Sequence, residues 1–377
     1  MKNRLFTPGP VSLYQPALNA ALEANVHHRT PEFKAVYSDV VNSLKRILDS
    51  PQHLYIFASS GTGAMETGVT NFFSPGEKVL VATCGKFGER WVELSKTFGL
   101  QPTIVSAPYG EAIRPEEIEA QLKSNPSIRG VMLQACESST AVQNDIDAIQ
   151  KITQNSNAIL IVDAVSGLAT MPLSVQKGID VLLSGSQKAL MIPPGLGFAG
   201  ISQRAWERVE KSTMPRFYFD LKAARKAWEQ NGFSAFTPAT SLVLSLRQSL
   251  KAIETWGLDQ LIRLTENRGR ALRAGLMELQ LELFAKAPAN ALTAVTGPQN
   301  QMEAIPSQLK QKFGMQVAGG QGDMKGKIFR IGHMGYIDHF DLLGVLSAIE
   351  IILKGLGHSV KTGASLAAFQ KIATEVF

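Results

Sequence analysis

In "LLSGSQKALMIPPG" (residues 182–195) an apolar run stops abruptly at Ser184-Gly185-Ser186. One amine, Lys188, follows before the chain turns apolar again and reaches Pro193-Pro194. The run Val181-Leu182-Leu183 reads as a buried strand. A lysine just beyond it is either a surface side chain snorkelling from a strand end or a reactive amine held in a pocket.

Outward from this stretch, similar apolar runs recur. "YIFAS" (55–59), "KVLVATC" (78–84), "PTIVSAP" (102–108), "RGVMLQA" (129–135), "AILIVDAV" (158–165) and "DVLLSGS" (180–186) read as strands. Between them lie helical patterns: "GAMETGVTNFF" (63–73), "GERWVELSKTFG" (88–99) and "RPEEIEAQLKS" (114–124), the last with proline near its start and acids in its first turn. Near-continuous apolar strands alternating with helices predict an α/β fold, a mostly parallel sheet covered on both faces. "SLVLSLRQSLKAIETWG" (241–257) predicts one long helix, beyond which the pattern loosens. The expected division is an N-terminal arm (1–20), a large domain (21–257) and a smaller C-terminal domain (258–377). The helix-like tail "GASLAAFQKIATEVF" (363–377) reads as peripheral.

Ligands of open α/β sheets sit at the carboxyl ends of the strands, so the residues that follow each strand matter most. Ser60-Gly61-Thr62-Gly63 enters a helix, where free N–H groups, hydroxyls and the helix dipole can cradle a phosphate; a glycine turn with an N-cap is the plainer reading. Glu66 stands where a dinucleotide fingerprint needs its third glycine, and no Walker A pattern is present. Phe87 brings an aromatic ring to the same edge, for core packing or for a ligand. Glu137-Ser138-Ser139-Thr140 is a polar cluster that either caps a helix or binds. Asp163 ends a very apolar strand, where a carboxylate is costly unless something cationic pairs with it. A phosphate cradle, an aromatic ring, a buried carboxylate and an amine are together what a planar pyridine aldehyde bearing a phosphate requires. The lysine forms the Schiff base, the carboxylate keeps the ring nitrogen protonated, and the ring needs a face to stack on.

The 377 residues, 45% hydrophobic and 19% charged, describe an ordinary soluble protein long enough for two domains. The net charge of +6 is scattered, which suits anionic small molecules better than nucleic acid. "MKNRLFTPGPVS" (1–12) lacks the apolar stretch of a signal peptide, and no segment approaches the roughly 20 apolar residues that span a bilayer. Cys84 and Cys136 lack a metal-type spacing and read as buried small hydrophobes. A cytoplasmic protein without metal, membrane or nucleic-acid partner is the expectation.

A family resemblance rests on "FTPGPV" (6–11), "SSGTGAMET" (59–67), "SPGEKVLVATCGKFGERW" (74–91), "ESSTAV" (137–142), "IVDAVSGLATMPL" (161–173), "SGSQKALMIPPGLGF" (184–198) and "FRIGHMG" (329–335). Over nearly its whole length the chain resembles class V, fold type I, pyridoxal-phosphate-dependent aminotransferases, specifically the alanine–glyoxylate and serine–pyruvate group. The resemblance implies a large domain with a mostly parallel seven-stranded sheet, a small α+β C-terminal domain, and a homodimer with active sites at its interface. It implies pyridoxal 5'-phosphate bonded to Lys188, with Asp163 on the ring nitrogen, Phe87 stacked on the ring and Val165 on its other face. Ser60, Gly61, Thr62 and Gln187 would hold the phosphate, and Ser138 would reach the ring hydroxyl region. Thr237 would touch a phosphate across the dimer interface, and Arg330 would clamp the substrate α-carboxylate. Some relatives carry a tyrosine three residues before the Thr237 position; here Ser234 stands there, between Phe233 and Phe236.

The implied reaction moves an amino group from alanine or serine to glyoxylate or pyruvate. A 2-aminoethylphosphonate-type aminotransferase and a non-catalytic accessory subunit are the alternatives. A desulfurase is disfavoured because no cysteine follows Cys136, and an NAD-dependent dehydrogenase by Glu66 and the Lys188 stretch. His27, His28 and Arg29 read as an entrance gate or as a solvated loop, and His333 as a packing residue.

Overall fold

The apolar runs pair as a seven-stranded sheet in the computed structural model of the chain, which describes residues 2–22 and 25–376. Met1, Glu23, Ala24 and Phe377, included in the expected arm, large domain and tail, lie outside the described residues. In chain order the strands are β1 (His53–Ser59), β2 (Lys78–Thr83), β3 (Gln101–Ser106), β4 (Gly130–Gln134), β5 (Ile159–Asp163), β6 (Val181–Gly185) and β7 (Gly195–Ile201). Their order across the sheet is β1-β7-β6-β5-β4-β2-β3. All run parallel except β7, which is antiparallel to both β1 and β6.

β4, β5 and β6 are buried at every position, the pattern of strands covered on both faces. Alternate residues serve different cores. Leu80, Leu160 and Val162 join one cluster with Phe33, Leu44 and Ile149, while Val81, Ile159 and Ile161 join another with Met65, Trp91 and Trp206. The sheet thus parts two apolar layers at the two-residue period of a pleated strand. Helices begin where side chains cap them: Ser60 accepts from the Thr62 amide and Asp145 from the Ala148 amide.

Thr240–Trp256 is one helix, as its pattern predicts. The segment beyond holds a four-stranded antiparallel sheet, in the order Glu282–Leu283, Leu292–Thr296, Ile328–Gly332, Ala318–Gly319. A third cluster lies there, with Leu272, Phe329, Leu346 and also Phe6 from the first residues of the chain. Arg4–Leu5 pairs in parallel with Met315–Gln316, and the Gly332 amide donates to the Phe6 carbonyl. No helix among the described residues is long and apolar enough to cross a membrane.

The tail corrects its expectation. Helix Ala364–Ala373 is not peripheral: Phe369 is fully buried, Ser365 donates to buried Glu350, and the Asn267 amide donates to the Ile372 carbonyl. The spacing of Phe369 among alanines hid an anchor that needs the Leu258–Glu278 and His339–Gly355 helices to receive it.

Candidate active site

The carboxyl ends of β1, β2, β5 and β6 and the turn before β7 converge on a cavity of about 270 Å³. Ser60, Gly61, Thr62, Phe87, Ser138, Asp163, Val165, Gln187 and Lys188 all line it. These are all the expected cofactor residues except Thr237. Burial grades across the site. Lys188 and Asp163 are 9% and 5% exposed, whereas Ser60 and Thr62 stand at an open mouth.

Lys188 enters from the turn after β6. Its Nζ donates to the Pro8 carbonyl at 2.6 Å, so the first residues of the chain cover it. Gly9 has φ +143°, and a Cβ there would fall 2.5 Å from Nζ and from Cε; backbone conformation and lysine stem both demand glycine. Burial lowers the Lys188 amine to about 8, with Arg330 adding to the effect and Cys136, Asp163 and Glu137 opposing it. More of it is therefore unprotonated at neutral pH than of an exposed lysine.

Asp163, the last residue of β5, accepts from the Val165 amide at 2.8 Å through Oδ1, and among the described residues nothing else donates to it. Burial raises its carboxyl to about 6. Glu137 reinforces this, while the Val165 bond, Lys188 and Arg90 oppose it. Gly61 packs against Val165 so closely that a Cβ would lie 2.6 Å from Cγ2. Gln187 leaves a buried Oε1 with no hydrogen-bond partner, the kind of orphan that a bound ligand explains.

Arg330 is not on the surface: it is 5% exposed on the central strand of the smaller sheet. Its Nη1 donates to the Ser138 carbonyl at 2.7 Å, and its Nε and Nη2 donate to the Gly319 carbonyl at 3.1 and 2.8 Å. It is thereby bonded to a lining residue of the cavity. Thr237 is exposed and lines a different, largely apolar cleft with Trp228, Tyr218 and Phe236; this chain does not bring it to Lys188. His27, His28 and Arg29 are likewise away from the cavity, with His28 edge-on to Phe233. His333 is fully buried, 3.1 Å from the Thr293 hydroxyl, and burial with Arg273 and Arg268 nearby holds it well below its usual range. It packs, as expected. Cys84 and Cys136 are both buried, and burial pushes the Cys84 thiol up to about 12; Cys136 also lines the cavity.

Five contributors were given no role from the sequence. Gly9 and Pro10 wall the cavity, and Pro8 binds the lysine. Glu137 is a buried anchor: one carboxylate oxygen accepts from the Phe87 and Gly88 amides at 3.0 and 2.9 Å, the other from the Ser139 amide and hydroxyl at 3.0 and 2.6 Å. It ties the Phe87 turn to the Ser138 turn. Arg90 lines the cavity with its guanidinium 4.8 Å from the Phe87 ring centroid. Its spacing of three from Phe87 on one helix was a usable signal.

Residues 11–326 match the profile of the family described as aminotransferase class-V. The soluble hydrogenase 42 kDa subunit of Anabaena cylindrica is 37% identical to this chain, covering 98% of each. The L-aspartate–glyoxylate aminotransferase of Paracoccus denitrificans is 31% identical, covering 98% of this chain and 96% of its own. Among solved structures, an aspartate aminotransferase of subgroup IV from Thermus thermophilus superposes with a TM-score of 0.86 at 34% identity, covering 94% of this chain and 99% of that one. The chain belongs to the aminotransferase class-V family of transaminases, whose members typically use pyridoxal phosphate.

Proposed function

We propose that this transaminase carries pyridoxal 5'-phosphate on Lys188 and moves an amino group from a small amino acid, alanine or serine, to glyoxylate or pyruvate in a ping-pong cycle. The observation that carries the reading is the burial of a free-base-prone amine and a solitary carboxylate in one cavity. The lining fits the cofactor: Gln187 Oε1 is orphaned and buried, Asp163 has acceptor capacity to spare, and the cradle residues are hydroxyls and amides at a helix start.

In this reading residues 21–257 hold the cofactor, 258–377 contribute Arg330, and 1–20 form the arm over Lys188. Ser60, Gly61, Thr62 and Gln187 hold the phosphate, and Ser138 meets the ring hydroxyl. Phe87 and Val165 offer the two ring faces. Thr237 of a second copy reaches the phosphate in a homodimer. When bound, pyridoxal phosphate supplies an aldehyde for an amine and a protonated ring that withdraws electrons from the substrate α-carbon.

The chain's own groups do the remaining work. Asp163 keeps the proton on the ring nitrogen, a role suited to a carboxylate with no other cation bonded to it. Lys188, once released by the incoming amino group, is the base that takes the α-proton and returns it on the other side of the transfer. The Pro8 carbonyl receives its amine while it is free. Arg330 offers a planar fork to the α-carboxylate. Glyoxylate as acceptor gains support from the name of the Paracoccus relative; that same name, and that of the Thermus enzyme, make aspartate a donor worth including.

A second reading, an accessory subunit of a larger complex, draws support from the name of the Anabaena relative. Half-reactions with alanine, serine, aspartate and 2-aminoethylphosphonate, followed by the cofactor spectrum and then by addition of glyoxylate or pyruvate, separate these readings. Rapid bleaching by alanine or serine, reversed by glyoxylate, is the expected result. A spectrum unmoved by every donor would leave the accessory reading.

A further inference from the structure

We infer that Arg90 is a phosphate-binding residue of this site, supplying the positive charge that its neutral cradle lacks. The inference rests on the reading of the cavity as a pyridoxal-phosphate site. A phosphate monoester carries about −1.5 to −2 charges at neutral pH, and placing it in a protein cavity without a cation is costly. Ser60, Gly61, Thr62 and Gln187 are all uncharged. Among the described residues, the cations that line the cavity are Lys188 and Arg90. Lys188 lies at the closed end, its amine on the Pro8 carbonyl.

Arg90 stands at the other end. It projects from the Lys86–Thr97 helix, and its Nη1 donates to the Thr62 hydroxyl at 3.0 Å. Thr62 is the second residue of the Gly61–Thr70 helix, and its amide donates to the Ser60 side chain at 3.3 Å. The guanidinium therefore sits beside the helix start that carries the cradle. Because the Thr62 oxygen accepts from Arg90, the hydroxyl proton of Thr62 is left to donate to an anion.

No carboxylate lies within ion-pair distance of Arg90 among the described residues, and the bond to Thr62 is its one hydrogen bond to them. Four of the five donors of this half-buried arginine are thus left free, and its planar fork matches the geometry of a phosphate. Its guanidinium carbon lies over the Phe87 ring at 4.8 Å from the centroid, a cation–π contact that holds the side chain beside the cradle. Lysine would lack both the stacking and the fork.

The test compares two ligands on the cofactor-free protein: pyridoxal 5'-phosphate and pyridoxal, which differ in the phosphate alone. Binding is followed by quenching of tryptophan fluorescence. Arg90→Gln is expected to weaken pyridoxal phosphate by about 10- to 100-fold, the range for a charge-assisted hydrogen bond, and to leave pyridoxal within about twofold. Arg90→Lys, which keeps the charge and preserves the helix, is expected to fall between. Inorganic phosphate should compete with pyridoxal phosphate more weakly in both variants than in the natural protein. Equal weakening of both ligands would reduce Arg90 to a prop for Phe87, and no change in either would overturn the inference outright. If the unaltered protein binds neither ligand, the reading of the cavity itself fails; if it binds both and the ratio survives substitution, Arg90 alone is wrongly assigned.

Discussion

Asp163 and Asp180 stand at opposite ends of two adjacent strands of the same sheet and are almost equally buried, at 5% and 3% exposed, yet they are treated in opposite ways. Asp180, at the start of β6, is saturated: it accepts from the Leu160 amide at 2.8 Å, the Ser202 hydroxyl at 2.8 Å and Arg204 Nε at 2.9 Å, and Arg204 Nη2 closes the pair. Asp163, at the far end of β5, has the one Val165 amide. At the amino edge of the sheet every lone pair is spoken for, and the charge serves to fasten β5, β6 and the Gln203–Lys211 helix together. At the carboxyl edge a carboxylate and an amine are both buried and both held out of their usual ranges. Burial alone does not distinguish structure from chemistry; the unmet bonding capacity of the buried group does.

Substitutions can test this contrast. The largest effect belongs to Lys188→Ala, which should lower turnover by at least about a thousandfold while pyridoxal phosphate still binds without resisting dialysis after borohydride. Activity surviving within tenfold would erase the distinction between the two edges. Next come the paired changes Asp163→Asn and Asp180→Asn. The first should reduce kcat/KM by about a hundredfold with little change in melting temperature. The second should cost about 2 kcal/mol of stability, because Arg204 keeps its charge without its partner, and leave kcat per folded molecule intact. Arg330→Lys should raise KM for amino acids about tenfold through loss of the fork, with a smaller change in kcat; an unchanged KM would remove Arg330 from the site.

A subtler effect concerns stability. A lysine whose folded pKa is about 8, below its unfolded value, destabilises the fold wherever it is charged in both states. The penalty is fully present below pH 8 and fades as pH rises toward the ordinary lysine range. Lys188→Met, matching its length, should therefore stabilise the cofactor-free protein at pH 7 by roughly 1–2 kcal/mol. The gain should shrink on raising pH to about 10, read by denaturant titration at both pH values. The smallest effect is assigned to Thr237→Val, a few-fold faster loss of cofactor on dilution.

Much of this architecture was legible from local pattern, because β1, β4, β5 and β6 are largely apolar and their carboxyl ends lead into the polar residues that matter. Lys188, Asp163 and the Ser60-Gly61-Thr62 turn stand directly in those ends, and the structure gathers them. β7 was not legible. "GLGFAGI" has three glycines in seven residues, a poor strand by propensity. The structure shows why they are there: a Cβ on Gly197 would meet the Ser59 hydroxyl at 2.5 Å and one on Gly200 would meet Leu48 at 3.0 Å. The roles of Pro8 and of Arg90, beyond its spacing from Phe87, were hidden for another reason. Their meaning lies in partners far along the chain, Thr62 across a helix pair and Lys188 across the whole molecule. Thr237 remains the residue that this chain alone cannot place beside the amine.

The lid that Pro8 and Gly9 form over Lys188 has a temporal consequence. Arg4 is hung on Gly314, Phe6 on Gln316 and Gly332 on Phe6, so the segment that covers the lysine acquires its seats only when residues 314–332 are in place. The covered amine is therefore complete only once the turn at Gly314–Gln316 and the strand Ile328–Gly332 are seated.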